Sequence, residues 1–538
     1  VAALTEHPDV VLVNPVLEWA PGGFAYITDE LRVLFKISSS EEAIQVALTD
    51  LGLEVSLDLE PSDRRQTLRK TASDGDDIIE TANHLYESGL VEYAQPNFAC
   101  TGTESAIPND VYFPFLVDRE GQWYLRDSIG DTLYDDHDID ADFAWNMPNA
   151  QLSVLGSPDV VIATLDVGYH FEHPDLEGLQ RVEEYDPAGQ RADQYDPDND
   201  AQAYCDYWYP ETSHCWHATS CMGMIFARTN NWIGIAGLAP NSSIMPIKTR
   251  ADDGLPLRIS DFANGQDHIV KFAGWVDIVV CTQNFLEDSE VAYYFEELYS
   301  NGIVTICSGG TADTVVFPAT LDWVQAVAMT DRRDKRWDEY WFNPYGPKLD
   351  LVAPGIDVMV LDLVENDGWN PNSGYRCPDI GTLGYLDYWC YQVGTSFAAP
   401  LCAGVAALVY SRRPDLRSIT GDPATIIEIL QNSAEDQVSD DTLDVPGWDQ
   451  YYGHGRVNAY RALLAVSRGE INSDGVWDVE DVVLVVEEAF RGQPPQGCHP
   501  GLADFNCDSI VNVLDVVQTV NLVFRNGDHP APCYRYDY

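Results

Sequence analysis

The sequence predicts an α/β fold, a three-layer arrangement in which helices cover both faces of a parallel β-sheet. Between residues 103 and 468, short apolar segments rich in β-branched residues alternate with helix-like segments. The apolar segments are hydrophobic at nearly every position, as is typical of strands that are buried on both faces. A composition of 45% hydrophobic and 22% charged residues excludes a globally disordered chain.

The chain is long enough for several domains, since 538 residues exceed the usual length of about 150 for one domain. Three regions differ in pattern: residues 1–102 form an α+β module, 103–468 the α/β core and 469–538 a repeated segment. In the first region the pattern predicts, in order, a strand, two helices and a strand at Leu31–Ile37, Ser39–Leu51, Asp77–Ser88 and Leu90–Ala94.

Four strands and two helices of the core can be placed from the sequence. The strands are predicted at Val160–Leu165, Ser243–Lys248, Val276–Thr282 and Ile303–Ser308. The helices are predicted at Thr395–Tyr410 and Asp422–Asn432. Because short buried strands separated by helices form parallel sheets, we expect the strands to share one sheet.

The charge of the chain is strongly negative. The sequence contains 30 Lys and Arg against 87 Asp and Glu, a formal net charge of −57. A surface this acidic repels phosphate groups, which argues against binding to nucleic acid and to anionic membranes. No apolar run approaches the ~18 residues of a transmembrane helix. The composition favours cation binding, a saline environment or solubility.

The start of the sequence and its use of cysteine favour an extracellular location. The chain begins at Val1 without a signal peptide, as expected for a secreted protein whose signal peptide has been removed. Local disulfides are plausible between Cys205 and Cys215 and between Cys377 and Cys390, which lie in polar loops. Buried thiols are expected at the cysteines of apolar runs, which are Cys221, Cys281, Cys307 and Cys402.

Three segments of the core carry side chains suited to catalysis. Asp166 directly follows a predicted strand, at the carboxyl end where α/β proteins form their sites. His217 opens a helix-like segment and is a candidate general base near neutral pH. Ser396 opens the helix predicted at Thr395–Tyr410, where free backbone N–H groups can stabilise a developing negative charge.

Together these segments resemble the subtilisin-like serine peptidases, or subtilases. The order Asp166, His217, Ser396 matches that family and differs from the chymotrypsin and α/β-hydrolase orders. The segment Tyr345–Gly355 is similar to one that precedes the family's serine, and the resemblance covers residues 107–465. It implies that Ser396 is the nucleophile, His217 the general base and then acid, and Asp166 the residue that orients the imidazole.

The N-terminal module, residues 1–102, resembles the prosegment of the same family. The similarity runs from Leu31–Lys36 to Val91–Phe98. It implies a folding aid and intramolecular inhibitor whose C-terminal tail lies in the substrate groove. We therefore expect residues near Pro96–Cys100 to approach Ser396. An unrelated α+β domain is the alternative interpretation.

The chain departs from the subtilase pattern beside the catalytic residues. Gly310 stands where the family usually has an Asn whose side-chain amide donates to the tetrahedral oxyanion. The edge strand that binds substrate usually ends Ser-Leu-Gly, but here it reads Thr282-Gln283-Asn284. Asn284 thus replaces a glycine that leaves room for the substrate backbone, and it is conceivable as a substitute donor. We expect Gly310→Asn to restore the donor and to raise kcat.

The last 70 residues contain an internal repeat with a period of 34 residues. Glu470–Gly475 recurs as Asp504–Ser509, and Asp481 recurs as Asp515. The repeats resemble dockerin-type calcium-binding repeats with EF-hand-like loops. The resemblance implies Ca²⁺ ligands at Glu470, Asn472, Asp474, Asp478 and Asp481 in the first loop and at Asp504, Asn506, Asp508, Asn512 and Asp515 in the second. A solvated acidic turn is the alternative interpretation.

Two further features of the sequence stay open. The loop Asp196–Asp200 is either another Ca²⁺ site or a solvated acidic loop. In the repeated segment, we expect Cys507 to pair with Cys533, while Cys498 has no counterpart.

The sequence therefore predicts a secreted subtilisin-like serine endopeptidase that is made as a proenzyme and binds Ca²⁺. The expected partners are a peptide or protein substrate, the chain's own prosegment, and a protein partner or a second copy bound through the dockerin-like tail. Gly310 makes latent or weak activity an expectation. The alternative is a catalytically impaired subtilase scaffold that serves as a structural or binding subunit of an extracellular assembly.

Overall fold

The chain divides into two compact units, Val1–Ser105 and Ala106–Tyr538. The structure, a computed structural model, describes residues 16–20, 23–36, 39–58, 65–70, 78–101, 108–110, 112–113, 121–126, 137–147, 155–189, 197–202, 215–251, 257–336, 343–363, 388–419, 423–439, 442–467, 479–491, 502–505 and 511–525.

The first unit is an antiparallel sheet with two helices packed on one face. Its elements are β1 (Val16–Ala20), β2 (Gly23–Phe35), α1 (Glu41–Asp50), β3 (Leu53–Asp58), β4 (Arg65–Lys70), α2 (Ile78–Glu87) and β5 (Val91–Thr101). The sheet has the order β1-β2-β4-β3, and β5 pairs with β2. Leu31, Val33 and Phe35 alternate along β2, so they share one face, where they form a core with Ile44 of α1 and Leu85 of α2.

The two helices predicted in the first unit are confirmed, with slightly different ends. The α1 helix begins after Ser40 because the Ser40 hydroxyl accepts a hydrogen bond from the Ala43 N–H at 3.3 Å, which caps the helix. The predicted strands are also present, but β2 begins well before Leu31 and β5 continues beyond Ala94. Pairing of β2 with β5 supplies the hydrogen bonds that extend both strands.

The second unit is built around a parallel sheet of six strands. They are β6 (Val161–Asp166), β7 (Ser243–Lys248), β8 (Ile278–Cys281), β9 (Val304–Ser308), β10 (Gln325–Thr330) and β11 (Leu351–Pro354). Their order is β11-β10-β9-β8-β6-β7, and each neighbouring pair is parallel. The predicted parallel sheet is confirmed, and the four strands placed from the sequence are β6 to β9.

Helices cover both faces of this sheet. They are α3 (Ala141–Trp145), α4 (Cys215–Phe226), α5 (Ile259–Lys271), α6 (Ser289–Ser300), α7 (Thr395–Arg412), α8 (Leu416–Ile419), α9 (Ala424–Ser433) and α10 (Ala459–Val466). Ile162 and Val280 point into the core that contains α4 and α7. Ala163 and Val279, the neighbouring residues, point into the core that contains α5 and α6. The alternation confirms the three-layer arrangement.

A two-stranded antiparallel ribbon leads into α7. It consists of β12 (Ile356–Leu361) and β13 (Tyr388–Val393). Gly394 follows β13, and its N–H donates to the carbonyl oxygen of Gly355 at 2.8 Å, just after β11 ends. This hydrogen bond holds the start of α7 at the edge of the main sheet where the parallel strands end.

Two helices near the C-terminus reproduce the repeat seen in the sequence. They are α11 (Val479–Arg491) and α12 (Val513–Arg525), each of 13 residues, and they contact one another. Val485 and Leu502 belong to the same buried apolar cluster as α4 and α7. Across the described ranges, no helix has the length and hydrophobicity needed to cross a membrane.

The cysteines expected as thiols are confirmed. Cys221, Cys281, Cys307 and Cys402 are buried and free. The side chains of the other cysteines discussed above lie outside the described residues; they are Cys205, Cys215, Cys377, Cys390, Cys498, Cys507 and Cys533.

Candidate active site

The predicted catalytic residues lie where the strands of the parallel sheet end. Asp166 is the last residue of β6, and Thr282 follows the last residue of the adjacent strand β8. Beyond β9, which pairs with β8, come Gly309 and Gly310. Because parallel strands present their carboxyl ends at one edge, the topology gathers these residues there.

Asp166 and His217 form a direct pair. The Nδ1 atom of His217 lies 2.9 Å from Oδ1 and 3.0 Å from Oδ2 of Asp166. His217 is the third residue of α4, so the helix directs its ring toward the end of β6. Since the carboxylate accepts the Nδ1 proton, Nε2 is left as the acceptor nitrogen.

Two more donors hold the Asp166 carboxylate. The hydroxyl of Thr282 donates to Oδ2 at 2.7 Å, and the N–H of Val167 donates to Oδ1 at 2.7 Å. Burial would raise the pKa of Asp166, but His217 and these hydrogen bonds lower it below its ordinary value. Asp166 is therefore ionised at neutral pH, and its negative charge faces the imidazole.

The same charge acts on His217 in return. Burial lowers the pKa of His217, but the Asp166 carboxylate more than offsets this and holds the pKa well above its ordinary value. The contact thus increases the proton affinity of the imidazole, which acts as a general base only in its neutral form, at pH values above this raised pKa.

Ser396 is connected to this pair through Thr282. It is the second residue of α7, whose first backbone N–H groups have no partner within the helix. Among the described residues, the hydroxyl donates to the carbonyl oxygen of Thr282 at 3.4 Å. Thr282 thus contacts Ser396 through its backbone and Asp166 through its side chain. The structure thus links the three predicted catalytic residues through Thr282, which the sequence predicts as a groove residue.

Gly310 has a backbone conformation that disfavours a side chain. Its φ is +108°, a region that L residues rarely adopt. A Cβ built there would lie 2.2 Å from Cγ2 of Val316. The expectation that Gly310→Asn restores an oxyanion donor is therefore wrong for this backbone, because the substitution meets both strain and a steric clash.

Asn284 lies beside Gly310. Its side-chain Nδ2 donates to the hydroxyl of Ser308 at 3.2 Å. The same Nδ2 atom is 3.5 Å from the point that a Cβ of Gly310 would occupy. The three groove residues predicted from the sequence, Gly310, Thr282 and Asn284, therefore border one site.

The sequence analysis missed the proximity of Cys221 to the site. Its Sγ lies 3.8 Å from Nδ1 of His217, one turn further along α4. The spacing of four residues within a helix was the available signal. Burial raises the pKa of the Cys221 thiol to about 11, so it is neutral near pH 7. In the described part of the chain, one group of side chains has ligand atoms close enough together to hold a metal ion: Asp166, His217 and Cys221. Because Nδ1 of His217 already donates to Asp166, this nitrogen is not available as a ligand.

Three of the predicted calcium ligands are buried carboxylates, and their surroundings show whether they suit the ion. Asp481 and Asp515, at equivalent positions of the repeat, are fully buried, and Asp504 is nearly so. The Glu488 Oε2 atom, not predicted as a ligand, is buried without a hydrogen-bond partner among the described residues. Burial and the charges of Asp504 and Asp515 raise the pKa of Glu488. Buried carboxylates of this kind fit a hard cation such as Ca²⁺.

Of the remaining predicted ligands, all but Asn512 lie outside the described residues. Those outside the described residues are Glu470, Asn472, Asp474, Asp478, Asn506 and Asp508. The N–H of Asn512, a predicted ligand of the second loop, donates to Asp515 at 2.8 Å. In the other acidic loop, Asp198 accepts from the Asp200 N–H at 2.8 Å, as in an acidic turn, and Asp196 is outside the described residues.

A hydrogen-bonded Asp–His pair and a serine at a helix N-terminus, all at the carboxyl edge of a parallel sheet, form an arrangement typical of serine hydrolases. The sequence profile of the subtilase family, peptidase S8, matches residues 157–455. The chain belongs to this family and is a subtilisin-like serine endopeptidase.

Curated relatives agree with this assignment. The chain is 27% identical over 446 residues to a thermophilic serine proteinase of Bacillus sp. (strain AK1), covering 82% of this chain and 88% of the relative. It is 28% identical over 305 residues to thermitase of Thermoactinomyces vulgaris, covering 56% of this chain and 88% of thermitase. It is 26% identical over 387 residues to the halolysin-like extracellular serine protease Nep of Natrialba magadii, covering 71% of this chain and 57% of Nep.

Proposed function

We propose that Asp166, His217 and Ser396 are the catalytic triad with which this endopeptidase hydrolyses peptide bonds in protein substrates. The observations that carry the proposal are the hydrogen bond between buried Asp166 and half-buried His217 and the link of Ser396 to Asp166 through Thr282. Thr282 supports both ends of the arrangement, because its hydroxyl donates to Asp166 and its carbonyl oxygen accepts from Ser396.

The residues act in sequence on the scissile bond. Ser396 Oγ attacks the carbonyl carbon while Nε2 of His217 takes the hydroxyl proton, so a C–O bond forms and the carbonyl electron pair moves to oxygen. When the intermediate collapses, the C–N bond breaks and the leaving amine takes the proton from His217. Water then attacks the acyl-enzyme ester in the same way, which releases the acid and restores Ser396. Asp166 holds the imidazole and stabilises its charged form throughout.

The N-terminal unit, residues 1–105, is proposed to be an inhibitory prosegment that makes the chain a proenzyme. The support is its fold, a small antiparallel sheet with two helices on one face that ends in the strand β5. A strand of this kind can pair with the edge strand of a peptidase groove, as a substrate does. Residues near Pro96–Cys100 would then be the part that approaches Ser396.

One experiment tests the triad and the proenzyme together. The wild-type chain and the Ser396→Ala variant are purified, incubated and assayed by mass spectrometry and with an unstructured protein substrate. We expect the wild type to lose its N-terminal unit and to hydrolyse the substrate, while the variant does neither.

Equal and negligible hydrolysis by both proteins would contradict the triad and favour the alternative, a structural or binding subunit. That alternative rests on Gly310, which supplies no side-chain donor. Hydrolysis without loss of the N-terminal unit would contradict the proenzyme alone.

The repeated C-terminal segment is proposed to bind Ca²⁺ and a protein partner outside the cell. Asp481, Asp504 and Asp515 would hold the ion, because they are buried at or near the loops and carboxylate oxygens are the ligands that Ca²⁺ prefers. Secretion is supported by the name of the relative Nep, an extracellular protease. Recovery of the protein only from inside the producing cells would contradict secretion.

The support for a partner is a repeated apolar surface on the two helices. Exposed side chains of α11 recur 34 residues later on α12, in the pairs Val479 and Val513, Val483 and Val517, and Phe490 and Phe524. Exposed apolar side chains that are repeated in register mark an interaction surface more often than isolated ones do.

Self-assembly through this surface can be measured directly. If the partner is a second copy, a Phe490→Ser, Phe524→Ser double variant should have a lower mass than wild type in light scattering. A monomeric wild type would contradict self-assembly, and the partner would then have to be another protein.

A further inference from the structure

The position from which subtilases usually supply the side-chain oxyanion donor is closed in this chain. Gly310 has a φ of +108°, and a Cβ there would lie 2.2 Å from Cγ2 of Val316. The Val316 side chain therefore occupies the space into which a side chain at residue 310 would project. Any side-chain donor to the oxyanion must come from another residue.

We propose that the side-chain amide of Asn284 supplies the second hydrogen bond to the oxyanion, together with the backbone N–H of Ser396. The proposal rests on the serine-peptidase function proposed above. Asn284 follows β8, whereas Gly310 follows β9, and these strands are adjacent and parallel. The side-chain donor to the oxyanion would thus follow β8 in this chain, whereas the usual subtilase position, here Gly310, follows the neighbouring strand β9.

The amide of Asn284 is placed between two segments that contact the nucleophile segment. On one side, its Nδ2 lies 3.5 Å from the point where a Gly310 Cβ would be, and the Gly310 N–H donates to Thr395 Oγ1 at 3.3 Å. On the other side, Thr282 is two residues before Asn284 and accepts from Ser396 Oγ at 3.4 Å. The amide therefore lies beside Gly310 and two residues from Thr282, both of which are hydrogen-bonded to the start of α7, where negative charge would develop.

The hydrogen-bonding capacity of the amide fits this role. A side-chain amide carries two N–H donors. Within the described residues, Nδ2 donates to one hydroxyl, that of Ser308 at 3.2 Å, and this bond fixes the orientation of the amide. The second N–H can donate to a substrate oxygen. Ser308 is buried at the end of β9, so the anchor is held by the sheet.

The test compares Asn284→Ala and Asn284→Asp with wild type. Asp keeps the shape but replaces the donor with a charged acceptor, so both variants lose the hydrogen bond to the oxyanion. We expect kcat to fall by about 10² to 10³ with little change in KM, as is found when one oxyanion donor is removed. Asn301→Ala is the matched control, because the Asn301 amide donates to Glu297 at the exposed end of α6, outside the site.

The outcomes separate the inference from the function on which it rests. Wild type is first compared with Ser396→Ala, and activity no greater than that blank would refute the function itself. With an active wild type, a kcat within about threefold of wild type in both Asn284 variants would overturn the inference, since one lost donor costs far more. A raised KM with unchanged kcat would also overturn it, because it would make Asn284 a groove residue only. Circular dichroism identifies a variant that fails to fold. If one Asn284 variant fails to fold, the kcat and KM of the other variant test the inference.

Discussion

At the scale of single residues, the site depends on the mutual effect of two hydrogen-bonded groups, buried Asp166 and half-buried His217. Asp166 keeps its negative charge in spite of burial because His217, Thr282 and the Val167 N–H stabilise it. His217 gains proton affinity from the same contact. Charge-assisted hydrogen bonds such as these are about twice as strong as neutral ones. Loss of the carboxylate should thus change both the rate and its dependence on pH.

Asp166→Asn is expected to reduce kcat by about 10⁴ and to shift the pH profile of kcat/KM. The active base is neutral His217, so activity rises as pH increases through the pKa of this histidine. The carboxylate raises that pKa, so its removal should move the rising limb to lower pH.

The measurement is kcat/KM as a function of pH, with Asp322→Asn as control. Asp322 is exposed and pairs with Lys348 at the surface. A rising limb at the same pH in wild type and Asp166→Asn would show that Asp166 does not act on the general base.

The chemistry-bearing residues could be predicted from the sequence because each adjoins a strongly patterned element. Asp166 ends an apolar strand and Ser396 opens an apolar helix, so local pattern places both. The steric closure at Gly310 could not be predicted, since it comes from the Val316 side chain, which approaches only in the folded chain. The hydrogen bond from Thr282 to Asp166 likewise joins the ends of two strands that are distant in sequence.

At the scale of elements, the parallel sheet explains why residues from distant segments meet. The strands β6, β8 and β9 are neighbours, so Asp166, Thr282 and Gly310 follow one another across a single edge. The helix α7 then meets this edge because Gly394 is bonded to Gly355. The sequence predicted strands β6 to β9 by their continuous hydrophobicity. It did not place β10 or the β12–β13 ribbon.

Ca²⁺ is expected to stabilise the chain through the repeated segment. Ligands that gather only in the folded state convert binding energy into folding energy. At a Ca²⁺ concentration ~100 times the Kd, the gain is about 2.7 kcal/mol. Thermal unfolding of the full chain should therefore move to higher temperature when Ca²⁺ replaces a chelator.

The variant Asp515→Asn distinguishes this site from any other. Asp515 is fully buried and neutralising it should reduce the shift, whereas Asp322→Asn at the surface should leave the shift unchanged. An equal shift in wild type and Asp515→Asn would contradict the assignment of this residue as a ligand.

At the scale of the whole molecule, the separation of the chain into two compact units agrees with a removable N-terminal part. The residues of the proposed triad all belong to the second unit, 106–538, whose two apolar cores enclose the sheet. The net charge of −57 keeps such a molecule soluble and favours cation binding. The net charge does not determine which substrate the enzyme cleaves, because the residues of the groove select the substrate.

The most direct test of the central claim is covalent labelling of Ser396 by a fluorophosphonate. Such a probe reacts with a serine whose hydroxyl is activated by an adjacent base. After incubation that allows processing, mass spectrometry should find the adduct on the peptide that contains Ser396 in wild type, and none in His217→Ala. Absence of the adduct in wild type, or equal labelling of the two proteins, would contradict the assignment of Ser396 and His217 as nucleophile and base.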